Sequence, residues 1–222
     1  MSSSSPLPSL QLSAIEARIV GCLIEKEATT ADVYPLTLNA LVNACNQRNN
    51  RAPVMALSPR EVEAALEPLR LKRLVVLFSG ADARVPKYRH TLDTALPMEP
   101  VALALMAELL LRGPQTLGEL RGRAERLCGM PGVAEVEAVL NDLAERPTEP
   151  LVRRLPRQPG QKEQRRAQLL TGEPILPDAS PEPLVATVAV PPEFELRLAS
   201  LESEVVQLRS ELAQLRKALG GP

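Results

Sequence analysis

The sequence predicts a mainly α chain with small β-hairpins, built as two similar globular units followed by a separate long helix. Three observations carry this reading. Two Phe, two Tyr and no Trp leave aromatics at 2% of 222 residues, so the cores must be filled by Leu, Val, Ile and Ala, as in small helical domains rather than β-sandwiches. A pattern of three helices and a hairpin occurs twice. The last stretch of chain spaces its apolar residues alternately four and three apart.

Residues 1–11, rich in Ser and without a basic flank or apolar stretch, read as a disordered tail and not an export signal. The first unit, 12–95, opens with the capping box Ser13-Ala-Ile-Glu16 and places Ile15, Ile19, Cys22, Leu23 and Lys26 at helical spacing. Pro35 is expected to open a second helix as a first-turn proline, running through Leu38, Leu41, Val42 and Cys45 to about Gln47. A third starts at the box Ser58-Pro-Arg-Glu61, buries Val62, Leu66 and Leu69, and has Pro68 in its last turn. Val75–Phe78, a turn at Ser79–Asp82 and the run Arg84–Leu92, with Pro86 suited to an edge position, form the hairpin.

The second unit, 96–172, repeats the order. Its first helix includes the apolar run Val101–Leu111 and ends before Gly113-Pro114. The next begins at the box Thr116-Leu-Gly-Glu119, and the third carries Val133, Val136, Leu140 and Leu143. Leu151–Leu155 and Glu163–Leu170 give the second hairpin. Three helices followed by a hairpin, twice over, read as tandem winged-helix domains, helix-turn-helix cores with a β-hairpin wing.

The segments LSAIEARIVGCLIEKEATT, YPLTLNALVNACNQRNNRAPVM and LLLRGPQTLGELRGRAER closely resemble the bacterial YceH-like family. The resemblance covers residues 10–172, is most specific from Tyr34 to Met55, and implies paired winged-helix domains without implying an activity. It stops at residues 173–192, a linker with six prolines that cannot hold a helix and departs from the short family form.

Beyond the linker, residues 193–219 form a heptad seam. Leu198, Val205, Leu212 and Leu219 occupy a positions and Phe194, Leu201, Leu208 and Leu215 occupy d. In a parallel dimer the flanking positions would pair Arg197 with Glu202, Glu204 with Arg209 and Glu211 with Arg216. The expectation is a homodimer joined through this helix; the alternative is one amphipathic helix docked on its own globular part.

Charge and composition bound the function. The chain carries 26 Lys and Arg against 27 Asp and Glu, with the first 172 residues at +3 and the remainder at −4, so net charge alone does not imply nucleic acid. Cys22, Cys45 and Cys128 share no metal-ligand spacing and His90 stands alone, so no enzyme, cofactor or metal centre is expected. Cys22 and Cys45 read as core thiols, His90 as a surface residue on a hairpin strand. The run Val101–Leu111 is too short to span a bilayer, so no membrane association is expected and the location reads as cytoplasmic.

The third helices of a winged helix usually enter the major groove, yet here their outward faces carry Glu61, Glu63 and Glu67, and Glu135, Glu137, Asp142 and Glu145. Such faces would repel DNA; they read as solvated acidic faces, or as surfaces that could meet a basic partner. Cations gather on the hairpins: Arg153, Arg154, Arg157, Lys162, Arg165 and Arg166 on the second, Arg84, Lys87 and Arg89 on the first. They could bind the phosphates of double-stranded DNA, or serve only to discourage edge pairing. Asn46, Gln47, Arg48, Asn49 and Arg51 could read base edges, or could simply end a helix and fill turns. The leading expectation is a dimeric, regulator-like DNA-associated protein; the alternative is a protein-interaction scaffold.

Overall fold

The structure, a computed structural model, describes residues 10–78, 85–158 and 160–174, together with 204, 205 and 207. Its first helix, α1 (Ala14–Thr29), begins where Ser13 caps it: the Ser13 hydroxyl accepts from the Glu16 N–H at 3.2 Å and the Ser13 N–H donates to the Glu16 carboxylate at 2.6 Å. After a 3-10 turn come β1 (Leu36–Thr37), α2 (Leu38–Cys45), α3 (Pro59–Leu71), β2 (Val75–Phe78), β3 (Lys87–His90) and the short α4 (Leu92–Ala95). The second half follows with α5 (Pro100–Arg112), β4 (Gln115–Thr116), α6 (Leu117–Ala124), α7 (Val133–Ala144), β5 (Val152–Arg154) and β6 (Arg165–Gln168). The chain is thus mixed α and β, each half holding a three-stranded antiparallel sheet, ordered β1-β3-β2 and β4-β6-β5.

Several local expectations are corrected. Pro35 does not open α2; it precedes β1, and Thr37 caps the helix by accepting from the Ala40 N–H at 3.3 Å. The strand expected over Arg84–Leu92 narrows to β3, and the chain turns into α4 straight after it. Since β3 is the middle strand, Pro86 sits just ahead of it, where a missing N–H breaks no ladder. Strands β1 and β4 are too short to leave a periodic signal. Of the tail expected over 1–11, Gln11 is tied in: its carbonyl accepts from Lys72 Nζ at 2.8 Å, and the next residue, Leu12, donates its N–H to the Leu170 carbonyl at 2.6 Å. The turn at Ser79–Asp82 and Arg84 lie outside the described residues, as do the linker beyond Pro174 and the seam residues Phe194, Leu198, Leu201, Leu208, Leu212, Leu215 and Leu219. Val205 is helical and exposed.

One continuous core runs from Leu12 to Leu170 through both halves. Its centre is the packing of α1 on α5, which explains why both helices are buried nearly all round instead of along one stripe. Gly21 permits the approach: a Cβ there would sit 3.0 Å from Leu111 Cδ2 and 3.2 Å from Leu110 Cβ. No helix among the described residues is long and apolar enough to cross a membrane.

Candidate nucleic-acid interface

The second hairpin is anchored by its apolar residues and presents most of its cations outward. Val152, Leu155 and Ala167 are buried, while Arg153, Arg154, Arg157 and Lys162 are exposed. Register sets Arg154 opposite Arg166 and Arg153 opposite Ala167. Around this hairpin lies an open cleft of about 400 Å3 whose charged lining is Arg154, Arg157, Lys162 and Arg166 against Glu137 and Glu163. Four cations facing two carboxylates leave a surplus of positive charge.

The six predicted cations of this hairpin are not equivalent. Arg166 is buried, donating to Asn141 Oδ1 at 3.0 Å and Glu137 Oε1 at 3.3 Å. Burial, and then the like charge of Arg154, hold its pKa below the usual guanidinium value. It therefore shapes the cleft floor and is withdrawn from the set of free surface contacts. Arg165 is half-buried, donating to the Pro114 carbonyl at 2.9 Å and lying 3.3 Å from Glu119. Arg154 lies 3.7 Å from Glu137, and Arg153 is paired with Glu173. Arg157 donates to the Lys162 carbonyl at 3.4 Å, and neither Arg157 nor Lys162 has an ion-pair partner among the described residues. Glu137, expected on the outward face of α7, is instead turned to these arginines.

The first half behaves differently. Arg89 is exposed and Lys87 half-buried, both on β3. The segment Asn46–Arg51 is mainly architectural. Asn46 clamps the chain ahead of α3, its Nδ2 donating to the Leu57 carbonyl at 2.8 Å and its Oδ1 accepting from the Leu57 N–H at 2.7 Å. Asn50 takes a left-handed φ of 60° and its side-chain oxygen accepts from Arg112. Gln47 accepts from Arg51 at 3.1 Å, which leaves Arg48 and Asn49 as exposed residues of the run without such a contact among the described residues. Arg51 is buried, a correction to its candidacy for base edges.

What holds Arg51 was missed by the sequence reading. Its Nη2 lies 2.5 Å from Glu25 of α1, and Arg126 reaches both Glu25 and Glu108 of α5 at 2.7 Å. Arg112 approaches Glu108 at 3.1 Å. Burial alone would raise the Glu25 carboxyl, but the hydrogen bonds and charges of Arg51 and Arg126 outweigh it and hold the pKa below its ordinary value. The available signal was Glu108, the one charge inside the apolar run of α5.

His90 is a second correction. It is 2% exposed, its Nε2 bonded to Glu27, its Nδ1 3.7 Å from Asp93 and its backbone N–H donating to Tyr34 Oη at 2.9 Å. Burial pushes the Tyr34 phenol up. Cys22 and Cys45 are fully buried, and the Cys45 thiol is pushed up by its hydrogen bond to Cys22 and by burial, which keeps it protonated. On α3, Glu61, Glu63 and Glu67 face solvent, as expected.

Comparison with known proteins places the chain in a family. A family model described as "Protein of unknown function, DUF480" matches residues 12–161. A UPF0502 protein of Geotalea uraniireducens is 54% identical over 198 residues, 88% of this chain and 89% of its own. A UPF0502 protein of Geobacter sulfurreducens is 54% identical over 200 residues, 89% of this chain and 90% of its own. One from Aeromonas hydrophila is 48% identical over 206 residues, 90% of this chain and 92% of its own. Matches of that extent must run past residue 172, so the linker does not mark the family's limit, a correction to the sequence reading. By the model match and by these relatives, the chain belongs to the bacterial DUF480 family of UPF0502 proteins.

Proposed function

We propose that the protein is a non-enzymatic, DNA-associated protein. Each half is a winged helix, the second wing supplies phosphate contacts, and two copies are joined through a coiled coil over 193–219. The wing assignment is supported by the order helix, strand, helix, helix, hairpin in both halves and by the matching sheet orders. The observation that carries the DNA reading is the surplus of positive charge in and around the second-hairpin cleft, with Arg157 and Lys162 lacking any acidic partner among the described residues. Cations so placed suit a repeating line of phosphates, which fixes register and orientation without reading sequence. The acidic face of α3 argues against major-groove entry by that helix, which leaves the second wing to carry the duplex contact. Dimerisation would raise avidity by making the second engagement intramolecular. A cytoplasmic location fits such a role.

The exposed carboxylates Glu61, Glu63 and Glu67 favour a second reading, a scaffold that meets a basic protein partner through α3. Titration of a fluorescent random-sequence duplex at low salt separates the two. Binding that weakens as salt rises supports the first; no binding at low salt, with a protein recovered by affinity capture through α3, supports the second.

A further inference from the structure

The two hairpins share one geometry and have diverged in chemistry. Antiparallel register equates Val75–Phe78 with Val152–Leu155, and Lys87–His90 with Arg165–Gln168. Val76 and Leu77 therefore stand where the second half has Arg153 and Arg154. Cross-strand partners share a face. Val75 and His90, both buried, define the inner face of the first sheet, so Val76, Phe78, Lys87 and Arg89 form the outer one. In the second half the residues equivalent to Phe78 and Arg89 are Leu155 and Ala167, and both are buried. In the first half that face is open: Val76 is 39% exposed and Phe78 50%.

Phe78 is one of four aromatic residues in the chain and lies directly across from Lys87; Val76 lies across from Arg89. Neither cation has an ion-pair partner among the described residues. An exposed ring flanked by two cations without an ion-pair partner among the described residues has what an unpaired nucleotide requires: a flat apolar surface for the base and positive charge for its phosphates. A purely apolar ligand would make no use of the two cations. An acidic segment alone would leave the ring unused.

The geometry points to a single-stranded nucleic-acid site on the outer face of the first hairpin, where Phe78 stacks an unpaired base and Lys87 and Arg89 hold the adjoining phosphates. This rests on the DNA-associated reading and adds a division of labour: the second hairpin holds duplex backbone, the first engages bases freed from pairing. Such a protein would favour junctions between duplex and single strand over either alone.

The test uses the full chain with three fluorescent probes of one sequence: a single strand, its blunt duplex, and a duplex with a single-stranded overhang. Phe78→Ala is expected to weaken binding to the single strand and the overhang about fivefold or more, without changing the salt slope, because stacking releases no counterions. Phe78→Tyr should retain wild-type affinity. Arg89→Ala should lower the salt slope on the single strand by about one. Blunt-duplex binding should change less than about twofold in all three. Equal affinity of wild type and Phe78→Ala for the single strand overturns the inference, as does an equal loss on blunt duplex. Wild type that binds blunt duplex but no single strand overturns this inference alone, and leaves the face to an apolar protein contact. Wild type that binds none of the probes overturns the DNA reading with it.

Discussion

Glu25 and Glu108, from the first helices of the two halves, share a single guanidinium: Arg126 Nη2 lies 2.7 Å from a carboxylate oxygen of each. Arg51 and Arg112 complete the network. Both glutamates are almost fully buried, so each needs its partners to offset the loss of water. Since Arg51 lies in the loop after α2 and Arg126 follows α6, the network fastens the segments that follow these two helices to the α1–α5 seam. The two hairpins are thereby carried on one body.

Breaking that network from one side should be costly. Arg51→Met leaves Glu25 buried and half-partnered, and is expected to lower unfolding free energy by about 3–5 kcal/mol. Adding Glu25→Gln should recover much of the loss, because the uncompensated charge is then gone. Urea denaturation of the single and double variants reads both values; a double variant no more stable than the single would contradict the account.

Acid should unfold the protein through the same group. Glu25, Glu16 beside Lys72, and Glu119 at its capping box all ionise at lower pH folded than unfolded. For Glu16 burial opposes the shift and the Lys72 contact prevails; for Glu119 the backbone bond to Thr116 is the largest cause. A carboxyl with a depressed folded pKa contributes stability that is complete above its ordinary value of 4.5 and is lost as pH falls through the folded value. Melting temperature should therefore be flat above about pH 5 and fall below it. Glu25→Gln should make that acid decline shallower.

Helix contact at Gly21 offers a check on the seam itself. Gly21→Val places a branched side chain where even a Cβ would sit 3.0 Å from Leu111 Cδ2, and should cost about 1–3 kcal/mol despite the gain over glycine in backbone entropy. Substitution at Gly122, which has open space around it, should not destabilise.

These long-range features were the ones hidden from a reading of the chain. Elements announced by capping boxes, at Ser13, Ser58 and Thr116, start where expected because a cap is a local hydrogen-bond exchange that needs no tertiary partner. Pro35 misled for a related reason: a proline suits the first turn of a helix and the approach to a strand equally, and the pairing of Leu36 with Tyr88 decides between them. The fates of Arg51, Arg166 and His90 depend on carboxylates 26, 29 and 63 residues away, contacts that periodicity cannot carry. The exposed cations were visible from composition; which of them were spoken for was not.

The coiled-coil proposal is tested on the intact chain. Wild type should sediment as a dimer, and Leu208→Asp together with Leu212→Asp, which charge a d and an a position, should give a monomer. A monomeric wild type would contradict it.

The most direct measurement for the wing as a phosphate contact is the salt dependence of duplex affinity, wild type against Arg153→Ala/Arg157→Ala/Lys162→Ala. Each cation that neutralises a phosphate contributes about 0.9 to the slope of log affinity against log salt, so the triple variant should lose roughly two to three. An unchanged slope in a variant that still binds would show that the phosphates rest elsewhere.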